Sequence, residues 1–410
     1  NVAGDDPTDT VTGDTQCDIT YCPANTRVES NACNPCPNNQ INDAGDDASL
    51  ADTTCDAVSG AWTQLGNDMN GDVGGDYSGT SIAMSDDGTR VIVGAPDNRG
   101  ASASPQGHAK VYEYSSGSWW QLGLDIDVLI DAQNTGEKAG YAVSMSGDGT
   151  TVAIASPDFY CSSGCSVAGY TYGYSEYIGL VRVYTYSSGS WTLTCSFGAD
   201  VSVEYVRKSS LAMSSDGTII AHGHWQDSTT GTRGRVDVYR CNSGVATIIS
   251  NTRGSSNDPA FDDTGPSTGY SRMGTSVSLS SDGTIIAIGS PYASYYDGST
   301  GITARTGMVR VYRYAYTSTY QKYTWSEQFK DFFSVGANNF LGNSGGDLFG
   351  QSVSLSGDGI RLVIGAPGNV AGYVSMYYYS AGAGYWYDDY TANGDNIGDQ
   401  FGYSVAMSRG

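Results

Sequence analysis

Acidic side chains are the main residues of this sequence that could do chemistry. The 410-residue chain holds 43 Asp and Glu, 20 Lys and Arg and three His, which gives a formal net charge of −23 at pH 7. No basic stripe exists to neutralise phosphates, so the composition excludes nucleic acid as a partner. Carboxylates at short alternating spacing are instead the ligands that calcium prefers.

One acidic segment has the oxygen spacing of a calcium loop. Asp68, Asn70 and Asp72 alternate along the chain, and Asp76 follows them. A similar group comes later and comprises Asp125, Asp127 and Asp131. The alternative is an ordinary Asp/Gly turn, in which the carboxylates bond the backbone. Calcium at this first group is therefore one hypothesis, and no other cofactor is indicated.

Motifs for catalysis are lacking in the sequence. It contains neither a Gly-x-Ser-x-Gly elbow nor a phosphate-binding loop, and no Arg cluster with a paired Tyr and Glu supports glycan hydrolysis. His222 and His224 flank one glycine, but no third metal ligand accompanies them, so we interpret them as a divergent strand end. The sequence predicts that the protein is not an enzyme.

A long tyrosine-rich loop is a candidate binding element. It spans residues 156–179, and its tyrosines are Tyr160, Tyr170, Tyr172, Tyr174 and Tyr177. Long loops on a rigid scaffold often carry binding, and tyrosine supplies contact area at low entropic cost. The alternative is that these rings pack on their own sheet. Both interpretations stay open from the sequence.

The nine cysteines indicate disulfides and an oxidising compartment, because five of them precede residue 56. One unit of a short Cys-rich repeat holds four candidates, whose connectivity the sequence does not give: Cys22, Cys33, Cys36 and Cys55. Further along, Cys161 is expected to pair with Cys165, and Cys195 with Cys241 between adjacent repeats; free buried thiols are the alternative. Zinc at Cys33-x-x-Cys36 is disfavoured, since no second ligand pair follows.

Internal repetition shows which elements position these residues. Four segments align closely, namely Ser81–Pro96, Ala142–Pro157, Ser276–Pro291 and Ser352–Pro367, and a weaker copy covers Ser210–Trp225. Each contains a Ser-x-Asp-Gly turn between two apolar runs, the signal of a tight hairpin. The turn aspartates are Asp87, Asp148, Asp216, Asp282 and Asp358, and a sixth copy begins at Phe401.

The repeat predicts four antiparallel strands per unit. Consecutive apolar residues in the second strand, such as Val91-Ile-Val, imply burial on both faces. A third strand carries the pattern Val-x-Val-Tyr with clean alternation, which predicts one wetter side, and a fourth begins near a Trp. Repeated four-stranded units that are buried on both faces predict an all-β propeller, and a β-sandwich is the runner-up.

These motifs resemble the FG-GAP repeats related to the propeller of integrin α subunits, over about residues 60 to 410. The Phe-Gly pairs are Phe349-Gly350 and Phe401-Gly402, and Gly94-Ala-Pro and Gly365-Ala-Pro supply the second motif. The resemblance implies an extracellular propeller, seven-bladed if complete. The family's calcium loop between the first two strands is shortened here to Ser-x-Asp-Gly, so those calcium sites are not expected.

The sequence therefore predicts two domains, a disulfide-rich module over 1–58 and the propeller over 59–410. The module resembles Cys-rich repeats of algal and protist surface proteins. Both ends cut through repeats, so we expect a segment of something longer. No apolar run approaches the roughly 20 residues that span a bilayer, and no Asn-x-Ser/Thr acceptor is present, although Ser/Thr-rich loops could carry O-glycans.

We expect a secreted or cell-surface protein with a structural or adhesive role. The favoured version is a subunit of a surface filament, sheath or flagellar hair (mastigoneme-like), because repeats and disulfides make durable material. Its partners would be other copies of itself or other extracellular proteins. The alternative is a lectin-like propeller that binds glycans.

Overall fold

The computed structural model describes the chain in two units, Asn1–Leu65 and Gly66–Gly410. Outside short strands, the described residues are 63–99, 106–127, 136–161, 179–198, 208–225, 234–242, 244–249, 271–294, 306–317, 322–328, 340–368 and 370–409. Every regular element in this part of the chain is a β-strand, and no helix in it is long and apolar enough to cross a membrane.

Two short hairpins are described in the first unit. Strand β1 (Thr26–Glu29) pairs with β2 (Ala32–Pro35), and β3 (Gln40–Ile41) pairs with β4 (Asp56–Ala57), both antiparallel. Cys33 lies in β2, whereas Cys22, Cys36 and Cys55 lie outside the described residues. The disulfides of this module and its boundary at residue 58 therefore stay predictions.

Five four-stranded antiparallel sheets, here called blades I to V, are described in the second unit. Blade I comprises β5 (Ser81–Met84), β6 (Arg90–Ala95), β7 (His108–Ser115) and β8 (Ser118–Gln121), with β9 (Ile126–Asp127) paired to β7. Blade II comprises β10 (Ala142–Met145), β11 (Thr151–Ser156), β16 (Leu180–Ser187) and β17 (Ser190–Gly198). Between β11 and β16 lie β12 (Tyr160–Cys161), β13 (Ser166–Val167), β14 (Tyr170–Thr171) and β15 (Glu176–Tyr177).

The remaining blades have the same strand order. Blade III comprises β18 (Lys208–Met213), β19 (Ile219–Trp225), β20 (Arg235–Asn242) and β21 (Val245–Ile248). Blade IV comprises β22 (Ser276–Leu279), β23 (Ile285–Ser290), β26 (Met308–Thr317) and β27 (Lys322–Gln328), with β24 (Tyr296–Asp297) paired to β25 (Gly301–Ile302) and β28 (Phe340–Leu341) paired to β26. Blade V comprises β29 (Ser352–Leu355), β30 (Arg361–Ala366), β31 (Tyr373–Ser380) and β32 (Tyr385–Asn393).

The first hairpin of each blade is fixed by its Ser-x-Asp-Gly turn. In blade IV, Asp282 Oδ1 accepts hydrogen bonds from the Ser280 hydroxyl at 2.6 Å and from the Thr284 amide at 2.9 Å. Gly283 follows with a φ of +68°, which a side chain would strain. The same bonds lower the pKa of Asp282, although burial alone would raise it. The turn aspartate therefore stabilises the fold in its ionised form.

The apolar core lies between neighbouring blades. The second strands are buried on both faces as predicted, and Ile92, Ile220 and Ile286 have no exposed surface. Four core clusters each join residues of two successive blades, and the first strand of each blade contacts the first strand of the next. Four-stranded sheets that pack face to face in this way form a β-propeller, which confirms the predicted fold class.

The third strands depart from the prediction of one wetter side. In blades II and III the first halves of these strands are buried on both faces, so the polar residue of Val-x-Val-Tyr is buried there. In blade II this residue is Arg182, whose guanidinium donates to buried Glu137 at 3.1 Å. Alternation predicted water where the turn before the first strand of the same blade instead supplies a charged partner.

Close backbone contact between blades depends on pairs of glycines. A methyl group placed on Gly289 of β23 would lie 2.1 Å from the carbonyl oxygen of Gly350, in the Phe-Gly motif of blade V. The corresponding approaches are Gly94 to Gly140, Gly223 to Gly274 and Gly365 to Gly402, at 1.9 to 2.3 Å. The Phe-Gly and Gly-Ala-Pro positions thus meet across four junctions, where neither glycine has room for a Cβ; blade II has Ala155 at the equivalent position.

Backbone hydrogen bonds link the Ser-x-Asp-Gly turns of successive blades. The amide at position x donates to the carbonyl at position x of the next blade, at 2.7 to 2.8 Å. The participants are Asp86, Gly147, Ser215, Ser281 and Gly357.

The sixth repeat places Arg409 at the same position x. Its Nη2 donates to the Met213 carbonyl at 2.9 Å, and its Nη1 lies 3.5 Å from Asp86 Oδ1. This side chain therefore connects the sixth repeat with blades I and III.

We expect Gly289→Ala to destabilise the second unit by about 3 kcal/mol, because the new methyl group meets a backbone carbonyl that cannot move independently. Gly382→Ala is the matched control, since a methyl group there would have nothing within 4 Å. Thermal or urea unfolding of both variants measures the effect. Equal stabilities would contradict the proposed role of the glycine contact.

Candidate functional site

A repeated turn at the start of each blade defines one rim of the second unit. The residue before the Phe-Gly position has a φ between 52° and 56° in the four clearest copies, which are Lys138, Arg272, Leu348 and Gln400. Its carbonyl accepts a hydrogen bond from the amide three residues later. The backbone is the same in each copy, whereas the exposed side chains differ, so the rim carries a different chemical group at each blade.

A cavity of about 490 Å³ opens on this rim. Its charged lining residues are Lys208 and Arg272, and its aromatic ones are Trp225, Tyr292 and Tyr403. Among the lining residues in the described ranges, none is acidic. In a chain with a net charge of −23, this rim pocket is a local cationic and aromatic site.

Aromatic rings position the cations of the rim pocket. The Arg272 guanidinium lies 4.0 Å from the ring centre of Tyr292 and 4.7 Å from that of Trp225. The Lys208 ammonium lies 5.5 Å from the Trp225 ring centre. Cation–π attraction orders these side chains and leaves their N–H donors charged. The arrangement can bind an anion beside an aromatic surface.

The part of the rim that belongs to blade II is acidic. Lys138, the counterpart of Arg272 in blade II, lies 3.9 Å from Asp97 and 4.0 Å from Asp158. Burial raises the pKa of nearby Tyr141, so this phenol stays neutral at physiological pH. Asp97 and Asp158 balance the charge of Lys138. The rim is therefore acidic at blade II and cationic at the rim pocket.

The tyrosine-rich loop leaves the propeller from this same rim, directly after Asp158. Tyr160 pairs with Tyr177 in the β12–β15 ladder, and Tyr170 pairs with Val167 in the β13–β14 ladder. Tyr172 and Tyr174 lie outside the described residues, as does Cys165, the expected partner of Cys161. The proposed binding role of the five tyrosines stays a prediction.

In the predicted calcium loop, one carboxylate bonds backbone amides of the loop itself. Asp76 accepts hydrogen bonds from the amides of Asp72 and Ser78 at 2.8 and 3.1 Å, which is the behaviour of an Asp turn. Asp68 and Asn70 are exposed. Calcium binding by these four residues stays a prediction, for which a chelator titration of thermal stability is the test.

A cluster around His108 brings part of that loop together with the second acidic group. The carboxylates of Asp72 and Asp125 both lie within ion-pair distance of the Lys110 ammonium. Burial would lower the pKa of Lys110, but these two carboxylates hold it above its usual range. Asp72, His108 and Asp125 have ligand atoms within 4.8 Å of one another, yet Lys110 already supplies a positive charge there.

The two histidines of blade III form a buried polar cluster. His222 has no exposed surface, and its Nε2 lies 3.1 Å from the Ser209 hydroxyl. His224 Nε2 lies 3.1 Å from Asp237 Oδ2. Burial would raise the pKa of Asp237, but its hydrogen bonds with His224 and Arg235 lower it. Of this cluster, His222 stands where the other blades have Ile or Val, and both histidine rings are buried away from solvent.

A disulfide joins blades II and III. Cys195 of β17 and Cys241 of β20 are bonded, with their Cα atoms 6.1 Å apart. These are the two cysteines that the sequence analysis paired between adjacent repeats. The bond fixes the outer parts of two blades, away from the glycine contacts near the rim.

Comparison with known proteins supports the repeat assignment. Residues 342–379 match the family model described as "FG-GAP repeat", so the chain carries an FG-GAP repeat there, as the motifs predicted. No curated protein sequence matches the chain.

Several solved structures show a distant likeness. The periplasmic gluconolactonase PpgL of Pseudomonas aeruginosa is 16% identical, with 77% of this chain and 72% of that chain covered and a TM-score of 0.41. Hydrazine synthase of Kuenenia stuttgartiensis is 12% identical, with 92% of this chain and 86% of that chain covered and a TM-score of 0.43. Sqt1 from Chaetomium thermophilum is 16% identical, with 79% of this chain and 64% of that chain covered and a TM-score of 0.42. Likeness at this level says nothing about activity.

Sequence reasoning missed the rim pocket. The signal that could have found it is the residue before each Phe-Gly, where Lys138, Arg272, Leu348 and Gln400 occupy equivalent places. The motifs of the repeat are the residues that the copies share, whereas the pocket consists of side chains in which the copies differ.

The His222 cluster makes stability depend on pH. Burial lowers the pKa of His222 to about 3, against an ordinary value of 6.5, so only the unfolded chain takes up this proton between these values. The free energy of unfolding should therefore fall by up to about 1.4 kcal/mol for each pH unit below 6.5. His222→Ile restores the residue found at the equivalent positions Ile154, Ile288 and Ile364.

We expect this variant to lose the acid sensitivity between pH 6 and 4.5, as measured by urea unfolding at each pH. Ser209→Ala is the control, because it removes the hydrogen bond but keeps the imidazole. Parallel pH profiles of wild type and His222→Ile would contradict the assignment.

Proposed function

We propose that the protein is a non-enzymatic extracellular structural or adhesive protein that associates with further copies of itself. One observation carries this proposal: blade I has an uncovered apolar face. Ile82 and Met84 of β5 are 67% and 54% exposed, whereas their counterparts in blade V, Val353 and Leu355, are 7% and 2% exposed.

A matching face lies on blade V. Met376 is 38% exposed, although its counterparts Val111, Val183, Val238 and Val311 are at most 1% exposed. At the junction of blades IV and V, Val311 belongs to the same apolar cluster as Val353 and Leu355. The two uncovered faces are thus the two halves of a contact that the molecule already makes between its own blades.

A second copy is the occupant that fits this face. Different surfaces on the two partners give head-to-tail association, which forms rings or open filaments according to the rotation between copies. A filament, sheath or flagellar hair is the assembly that we propose, with other extracellular proteins that carry the same repeat as further partners.

The chemistry of the described residues supports a structural rather than a catalytic role. The turn carboxylates are committed to hydrogen bonds, and the His222 and His224 rings are buried. The disulfide between Cys195 and Cys241 suits an oxidising, extracellular compartment. Inter-blade bonds of this kind favour durable material.

Glycan binding is the second candidate function. The specific observation that favours it is the rim pocket, which combines aromatic rings with polar and cationic side chains. Such pockets supply both a stacking surface and orienting hydrogen bonds. The two functions are compatible, because the rim pocket and the uncovered faces involve different residues.

We expect the double variant Ile82→Glu and Met84→Glu to reduce self-association at least tenfold, because two carboxylates would be buried in the contact. Sedimentation velocity over a range of protein concentrations measures this. Val245→Glu is the control, since Val245 is 62% exposed on the outer strand of blade III.

The head-to-tail geometry has its own test. Met376→Glu should also prevent extended assembly, but a mixture of this variant with the double variant should form dimers, because each retains one intact face. Wild-type protein that sediments as a monomer at every concentration would refute the proposal.

A further inference from the structure

We infer that the rim pocket binds an acidic sugar, through a carboxylate or sulfate group on the sugar ring. The inference rests on the glycan-binding candidate and names its ligand class. It depends on the charges and rings that line one cavity, and the adhesive proposal does not depend on it.

The charge of the pocket selects an anion. Arg272 and Lys208 both line it, and the described lining residues include no carboxylate. A guanidinium presents paired N–H donors that match the two oxygens of a carboxylate or sulfate. Since the chain as a whole is strongly acidic, an anion would be repelled from most other surfaces and is directed to this one.

The rings of the pocket select a ligand with an apolar face beside its anionic group. Trp225 and Tyr292 hold Arg272 between them, at 4.7 and 4.0 Å from its guanidinium carbon. Tyr403, at the equivalent rim turn of the sixth repeat, is 63% exposed and lines the same cavity. A pyranose ring has C–H faces that pack on aromatic rings, which inorganic phosphate or sulfate lacks.

Neutral polar groups complete the lining. Thr275, Gln351 and Gln400 offer hydroxyl and amide groups that can both donate and accept. A sugar presents several hydroxyls with the same dual capacity. The cavity volume of about 490 Å³ lies within the usual range of small-molecule sites, about 300 to 1,000 Å³.

Matched variants on the rim test the inference. Arg272→Gln and Lys138→Gln remove a cation from the same rim turn in different blades, but only Arg272 lines the pocket. Tyr403→Leu removes an exposed aromatic ring without a charge. Thermal unfolding of each variant establishes that it is folded before its binding is measured.

The probes are a galacturonic acid tetramer, its fully methyl-esterified form and a sulfated galactan oligomer of similar length, with isothermal titration calorimetry as the readout. We expect the free acid or the sulfated oligomer to bind, and whichever binds identifies the source of the anion. Arg272→Gln should weaken that binding at least tenfold and Tyr403→Leu several-fold, whereas Lys138→Gln should change it less than twofold. Affinity should also fall with added salt.

The outcomes separate this inference from the glycan-binding function itself. Equal binding of the methyl ester and the free acid would refute an anion-selective pocket while leaving glycan binding in place. Binding that Arg272→Gln and Lys138→Gln weaken equally would place the ligand elsewhere and refute the assignment. Inorganic sulfate that binds as tightly as the sulfated oligomer would refute the role of the sugar ring. No binding of any probe would refute both the inference and the second candidate function.

Discussion

The backbone contact between two glycines at four of the blade junctions is the constraint on which the rest of the structure depends. Gly289 and Gly350 approach so closely that neither can carry a side chain, and the same approach recurs at three further junctions. This contact sets the spacing of neighbouring sheets near the rim. The apolar clusters between blades, the chain of turn hydrogen bonds and the position of the rim residues all follow from that spacing. A sequence that keeps these glycines can vary its loops and rim residues widely and still form the same blades.

The strand frame could be predicted because it is encoded locally. The Asp-Gly turn and the doubly buried second strand recur in each copy, and a proline ends that strand in four of the five, so alignment of the copies shows them directly. The partner that a given side chain contacts is not encoded in the sequence around that side chain. Arg182 and Asp237 occupy the same place in Val-x-Val-Tyr, yet one pairs with Glu137 and the other with His224. Glu137 lies in the turn before the blade and His224 on the neighbouring strand, so alternation within one strand could not identify either partner.

The candidate site also depends on contacts between separate segments, which the local sequence does not encode. Unusual segments of the sequence, such as the acidic loop at Asp72 and the tyrosine-rich loop, were the predicted places for chemistry. In the structure, Asp72 contacts Lys110, and the cationic pocket arises instead from ordinary positions of the repeat. Arg272 becomes notable only when its turn is placed beside Trp225 and Tyr292. Residues that the copies share form the scaffold, whereas residues in which the copies differ form the surface that can recognise a ligand.

Arg409 acts at the end of the blade array that lies away from the rim pocket. The rim pocket lies where the first strands begin, whereas Arg409 lies where they end, and its side chain reaches both Asp86 and the Met213 carbonyl. One guanidinium therefore links three repeats that are not neighbours along the chain, at the end away from the pocket. That end of the blade array is consequently held by a side chain as well as by the backbone hydrogen bonds between turns.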